Sequence, residues 1–187
     1  PETVWACVLE VLAESVNAAK RNGAKAEEFA AICTSILGEE IMPVDKKFRP
    51  LRTSILGMDY RAEQETDDLC RALGKRWIYD TTGFPPHPMG SLPTIMWMRK
   101  HQPELLEKTY KYVTFTEFIM KRLGAADGAI DYPQAGRTMM FDIEKKEWSK
   151  ELVKEAGLEM DMLCPAFAPG EIVGRLSAEM AGTLGLT

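Results

Sequence analysis

Phe29-Ala-Ala-Ile-Cys-Thr-Ser-Ile36, Ile41-Met-Pro-Val-Asp45 and Ser54-Ile-Leu56 are three short apolar runs in quick succession. Runs of this length, rich in branched side chains and bounded by turn residues, predict buried strands. Lys46 to Pro50 reads as the polar turn between the second and third, and Gly57 interrupts the last. Upstream, Pro1 to Arg21 predicts a helix: Val4, Trp5, Val8, Val11, Leu12 and Val16 recur at three and four residues, opposite Glu10, Glu14 and Lys20, and Gly23 stops it. Downstream, a second helix is expected from about Ala62 to Leu73. Helix, strand, hairpin-like pair and helix in that order favour an α/β domain whose sheet is covered by helices.

The next section is rich in loops. Thr82-Gly-Phe-Pro-Pro-His-Pro-Met-Gly90 leaves no room for regular structure, because its prolines remove donors and fix φ. Pro93 then opens a buried helix reaching His101. Thr114-Phe-Thr-Glu117 has capping-box spacing ahead of Phe118, Ile119 and Leu123, with Gly124 as the stop. Asp131 to Arg137 reads as a loop, Thr138 to Ile143 as a strand, and Trp148 to Ala156 and Ser177 to Leu184 as short closing helices. No internal repeat or low-complexity tract divides the 187 residues, so one domain is expected.

Composition excludes several function classes. The chain is 45% hydrophobic and 27% charged, which suits a packed core. The long uncharged run from Phe84 to Met98 is broken by four prolines, so no stretch of about 20 apolar residues is available to span a membrane. Lys plus Arg number 23 against 28 Asp plus Glu, a net charge of −5 with the cations scattered among acids. The phosphate attraction that drives nucleic-acid binding is therefore missing. Four cysteines without a CxxC pair, and two histidines, argue against a structural zinc site. Cys7 and Cys33 lie in apolar runs and read as small core residues, and a reducing cytoplasm is the expected compartment.

Self-sufficient catalytic motifs are missing: there is no GxxxxGK[ST], GxGxxG, GxSxG or HExxH. What remains is polar groups at the ends of expected strands: Glu39 and Glu40, Asp59 and Arg61, and Asp131 beside Tyr132. Ligands of open α/β sheets lie outside the carboxyl ends of strands, which makes these positions candidates. Read alone, Glu39-Glu40 also fits a solvated turn, and Asp59 with Arg61 a local ion pair or helix cap. Asp131 fits loop structure and His87 the surface.

The order of segments adds a resemblance. Glu28-Phe-Ala-Ala-Ile-Cys-Thr-Ser35, Val44-Asp45, Arg49-Pro-Leu-Arg52 and Ile55-Leu-Gly-Met-Asp-Tyr-Arg-Ala62 resemble the first domain of the FGGY carbohydrate kinases. So do Thr82-Gly83, Pro88, Pro93 and Trp97, then Asp131-Tyr-Pro-Gln-Ala-Gly-Arg-Thr138, Phe141-Asp142, Trp148-Ser149 and Glu171-Ile-Val-Gly-Arg175. Xylulokinases and glycerol kinases are the members it looks most like.

The resemblance implies a ribonuclease H-like (actin-like ATPase) α/β domain, truncated at its N-terminal strands, with residues 1–187 as a partial first, sugar-binding domain. In the family a second domain binds ATP, and the γ-phosphoryl group passes to a sugar or polyol hydroxyl. Mg²⁺ offsets phosphate charge there, and a carboxylate takes the hydroxyl proton. The family's Asp-x-Gly-Thr loop would precede Pro1, and its general-base Asp is expected beyond Thr187. The fragment by itself is therefore expected to be inactive. The edge left without its first strands could be covered by a homodimer or by strand exchange.

Position by position, the family's sugar-binding stretch falls on Leu37-Gly38-Glu39. Glu39 keeps the acid of the glycerol kinases, whereas Gly38 loses its basic partner. A carboxylate suits vicinal hydroxyls, since it can accept from two donors. The Trp that walls the sugar falls on Gly57, Asp59 and Arg61 keep the xylulokinase Asp-x-Arg pattern, the glycerol kinases' Tyr falls on Met89, and the usual Lys falls on Thr94. The resemblance thus implies Gly38, Glu39, Asp59, Arg61 and Met89 as substrate contacts, a pentulose such as xylulose as substrate, and ATP with Mg²⁺ as cofactors of the intact enzyme. A non-catalytic sugar-binding or interaction module of the same fold is the alternative.

Overall fold

A computed structural model describes residues 1–186. The chain opens with α1 (Glu2–Arg21), whose last turn ends as predicted before Gly23, at φ 96°. Trp5, Val8 and Leu12 of α1 pack inward, while Val4 and Val11 face solvent.

The centre of the fold is a short antiparallel ladder. β1 (Met42–Val44) pairs with β2 (Lys111–Val113), in a register that sets Met42 opposite Val113 and Pro43 opposite Tyr112. Successive side chains of a strand point to opposite faces. Met42, Val44 and Val113 accordingly join Phe48, Phe118, Ile119 and Leu123 on one side, against α1. Ile41 and Tyr112 join Ile55, Leu69, Ile78, Leu92, Ile95 and Met98 on the other. The second and third expected strands are both found here, the third reduced to a bridge between Ile55 and Ile41.

The helices on the second face are α2 (Glu63–Leu73), α3 (Lys75–Thr82) and α4 (Ser91–His101). α2 and α4 match the reading. α3 was not foreseen: its inward face is only Ile78 and Thr82, one turn apart, while Trp77 and Tyr79 remain partly exposed. Between α3 and α4 the proline loop is irregular, as expected. α5 (Phe115–Leu123) has the full capping box: the Thr114 side chain accepts from Thr116 N–H, and Glu117 reaches back to Thr114 N–H. α8 (Ala178–Leu184) is capped by Ser177 at the predicted position.

Several expectations are corrected. Phe29–Ile36 is not a strand: its backbone lies outside any ladder, although Ile32 and Ile36 pack against the α1 side of the core. Its alternating pattern gives an extended chain with one face inward, but no strand of the described residues pairs with it. Asp131 to Arg137 is not a loop. Asp131 caps a short helix, α6 (Tyr132–Arg137), by accepting from Gln134 N–H at 2.8 Å, and Pro133 sits in the first turn, where no donor is needed.

The strand expected over Thr138 to Ile143 shrinks to β4 (Phe141–Asp142), paired with β5 (Glu147–Trp148), because Thr138 is still helical and Met139 turns left-handed at φ 62°. Trp148 therefore belongs to a hairpin, and Ser149 caps α7 (Lys150–Glu155). In place of one helix-covered sheet, the described residues form three two-stranded ladders, the last pairing β3 (Ile130–Asp131) with β6 (Ala166–Phe167) in parallel. Cys7 and Cys33, read as core residues, are exposed, and only Cys164 is buried.

Candidate functional site

Three loops and one short helix carry the candidate residues: 37–40 before β1, 56–61 before α2, the proline loop 83–90, and α6 with its cap Asp131. They are tied to one another. The Tyr60 and His87 rings meet edge to face at 5.2 Å between centroids. The Met89 N–H donates to His87 Nδ1 at 3.2 Å, and the Arg137 guanidinium lies 5.6 Å over the Phe84 ring.

Glu39 is the best-defined member. Its side chain is 7% exposed, which contradicts a solvated turn, and its carboxylate pairs with the Arg137 guanidinium. Its backbone is left-handed, at φ 74°. For a residue with a Cβ this costs about 1–3 kcal/mol and persists only where the surroundings enforce it. The enforcement is visible. A Cβ at Gly57 would stand 2.9 Å from Glu39 Cβ, and a Cβ at Gly38 would stand 2.5 Å from Gln134 Oε1 and 2.9 Å from Arg137 Nε. Gln134 Nε2 donates to the Ile36 carbonyl at 2.8 Å, fastening the approach to Glu39 onto α6.

Glu40 points the other way. Burial raises its carboxyl above the ordinary carboxylate range, and its Oε1 accepts from Phe115 N–H at 3.0 Å, at the start of α5. Neighbouring acids thus face different elements, which the sequence did not distinguish.

Asp59 and Arg61 form the local ion pair that sequence reading left open. Arg61 Nε donates to Asp59 Oδ1 at 2.8 Å, and its terminal nitrogen to Oδ2 at 2.5 Å. The Arg61 hydrogen bond holds the Asp59 carboxyl below its usual range. The pair is part-exposed, and the guanidinium lies over the Trp97 ring, 4.8 Å from its centroid. Trp97 in turn stacks on His101, with centroids 4.8 Å apart. Arg52 stands near enough for its protonation to be disfavoured, by burial first and by the Arg61 charge second. Met89 is half-buried at the rim.

Sequence reading missed Arg137 and Gln134 as site residues. The signal was the Asp131-Tyr-Pro-Gln134 cap, which turns a supposed loop into a helix presenting both side chains to Gly38. A surface cavity of about 380 Å³, lined by Met96, Arg99, Leu106 and Gly157, includes none of the candidate residues.

The candidate acids are already partnered. Glu39 is held by Arg137, Asp59 by Arg61, and Glu40 by a backbone N–H. Among the described residues no group of three or more His, Cys, Asp or Glu could hold a metal ion. No helix of the described residues is long and apolar enough to cross a membrane.

The geometry belongs to a known fold. The gluconate kinase of Lactobacillus acidophilus superposes over the whole chain with a TM-score of 0.88 at 21% identity, and the chain covers 37% of it. This is the ribonuclease H-like, actin-like α/β fold. In sequence, gluconokinase of Bacillus subtilis (strain 168) is 27% identical over 186 residues, covering 100% of this chain and 35% of that protein. Xylulose kinase of Staphylococcus xylosus is 25% identical over 146 residues, 78% of this chain and 30% of its own length. The chain thus spans about a third of the length of these relatives. The N-terminal domain of the FGGY family of carbohydrate kinases matches residues 1–187, and the chain belongs to that family.

Proposed function

We propose that the chain is the sugar-binding first domain of an ATP-dependent carbohydrate kinase, with Glu39 as the acid that grips the substrate hydroxyls. The observation that carries this reading is the buried Glu39 carboxylate, held by Arg137 on a strained backbone beside Gly57. An ionised carboxylate accepts from two vicinal hydroxyls at once and fixes the sugar's orientation, and phosphoryl transfer depends mainly on such positioning. Gly38, Asp59, Arg61 and Met89 complete the proposed contact set around it.

The candidate acids Glu39, Asp59 and Glu40 are each already partnered, so none is assigned to the divalent metal that the family uses. The role proposed for this chain is to bind and orient the sugar. Of the relatives' named substrates, a pentulose such as xylulose is the one proposed.

The alternative, a non-catalytic module, drew on the departures at Gly38 and Gly57. Both glycines have steric roles around Glu39, which favours a maintained pocket. A thermal-shift screen with D-xylulose, D-gluconate, glycerol and ATP tests the reading. A ligand at a hundred times its Kd adds about 2.7 kcal/mol. The expected result is a rise in Tm with D-xylulose and none with ATP. A rise with ATP alone would overturn the proposal.

A further inference from the structure

The residue directly before Glu39 is Gly38, which has no side chain to pair with the carboxylate. The structure supplies a cation from elsewhere: Arg137, at the end of α6, pairs with Glu39 Oε1. Two further contacts show that the arrangement is structural. The space beside Gly38 that a Cβ would need is taken by Arg137 Nε at 2.9 Å and Cδ at 3.1 Å, and by Gln134 Oε1 at 2.5 Å. A side chain at position 38 and Arg137 in its present place are mutually exclusive. Gln134, on the same short helix, also holds the Ile36 carbonyl.

The two carboxylate oxygens of Glu39 face different surroundings. Oε1 meets Arg137, whereas Oε2 lies on the side of Gly57, 3.5 Å from where a Cβ there would stand. With no side chain at 57, none stands between Oε2 and the part-exposed backbone of Gly57.

We propose that Arg137 is a positioning residue for Glu39: it claims Oε1, keeps the carboxylate aimed, and leaves Oε2 free beside Gly57 to accept from the substrate. This rests on the reading of Glu39 as the sugar-contacting acid. Arg137 itself touches no substrate. Its planar fork fixes the carboxylate plane, which a lysine would hold only as a point charge. Gly57 is the matching specificity position, because any Cβ there presses on Glu39 Cβ at 2.9 Å.

The test uses the whole chain and three variants, Arg137→Met, Arg137→Lys and Gly57→Ala. Affinities for D-xylulose, D-gluconate and glycerol come from calorimetry, and local order at the Glu39 and Glu40 amides from ¹⁵N relaxation. Arg137→Met is expected to weaken binding tenfold or more and to loosen Glu39. Arg137→Lys should recover part of both, and Gly57→Ala should weaken binding at least fivefold. Affinity within twofold of the parent in Arg137→Met, with Glu39 equally ordered, would overturn the proposal, even if Tm falls. If Arg137→Met does not fold, the comparison of Arg137→Lys with the parent decides: full affinity overturns the proposal and a partial loss supports it. If the parent binds none of the three probes, the sugar reading fails. The relaxation data then decide the lock separately, loosened Glu39 supporting it and unchanged order overturning it.

Discussion

Glu40 and Glu117 converge on the first turn of α5, Glu40 accepting from Phe115 N–H at 3.0 Å and Glu117 from Thr114 N–H at 2.9 Å. Two carboxylates thus occupy one helix N-terminus, the end whose free N–H groups favour negative charge. Burial nevertheless dominates. It raises Glu117 from its ordinary 4.5 to about 7, the Glu40 charge pushing the same way and the Thr114 hydrogen bonds only partly opposing it.

The sign of the resulting pH dependence follows. Between pH 4.5 and 7 the folded protein holds a proton on Glu117 that the unfolded chain has released. Stability is therefore greatest at the acid end of that window and falls as pH rises through it, by at most ~1.4 kcal/mol per pH unit for one proton. Urea unfolding at pH 5, 6, 7 and 8 should show this fall in the parent and a flatter profile in Glu117→Gln. Equal slopes would show that Glu117 is ionised throughout.

The cysteines divide by burial. Cys7 and Cys33 are exposed, while Cys164 is buried beside Glu117, and burial raises its thiol far above the usual range. A thiol-specific reagent under native conditions should modify Cys7 and Cys33 quickly and Cys164 only on unfolding, since the thiolate is the reactive form. Rapid native labelling of Cys164 would contradict the packing around it.

Gly124 ends α5 at φ 137°, where a Cβ would press on the Arg175 carbonyl and stand 2.9 Å from Ser177 N. Those are backbone atoms and cannot swing aside. Gly124→Ala is expected to cost about 3 kcal/mol or more, combining left-handed strain with the clash. Thr114→Ala, which removes the cap and the hydroxyl's hydrogen bond to Glu117, should cost about 1–2 kcal/mol. Chemical denaturation ranks the two, and a milder effect at Gly124 would place the 175–177 segment elsewhere.

Local signals in the sequence were reliable wherever the chain's neighbours in space were also its neighbours in sequence. The Thr114–Glu117 box, the Gly23 and Gly124 stops, the Ser177 cap and the Ile41–Asp45 strand are all read from a few adjacent residues. Phe29–Ile36 failed because its apolar alternation specifies an inward face, and a ladder needs a partner that no local pattern supplies. Asp131–Arg137 failed for a different reason: the Asp131 cap and the first-turn Pro133 fit a helix start, but proline and Gly136 within six residues are equally the composition of a loop. That error hid Arg137. Glu39 was singled out only through the resemblance to the FGGY kinases, and its partner Arg137 lies 98 positions away, a contact that only the folded chain brings about.

Asp59 and Arg61 satisfy each other at a part-exposed site, where such a pair contributes about 1 kcal/mol or less to stability. Asp59→Asn should therefore leave Tm nearly unchanged and reduce sugar affinity only if the pair contacts ligand. Unchanged affinity together with unchanged Tm would assign the pair to the surface alone.

The most direct test of the account is calorimetric titration of D-xylulose into the parent chain and into Glu39→Gln. Glutamine keeps the size of the side chain but loses the charge that pairs with Arg137 and accepts from two hydroxyls. Measurable binding to the parent that falls tenfold or more in a folded Glu39→Gln is the predicted result. Equal binding by both proteins would show that the sugar is held elsewhere, and would contradict a site built around Glu39.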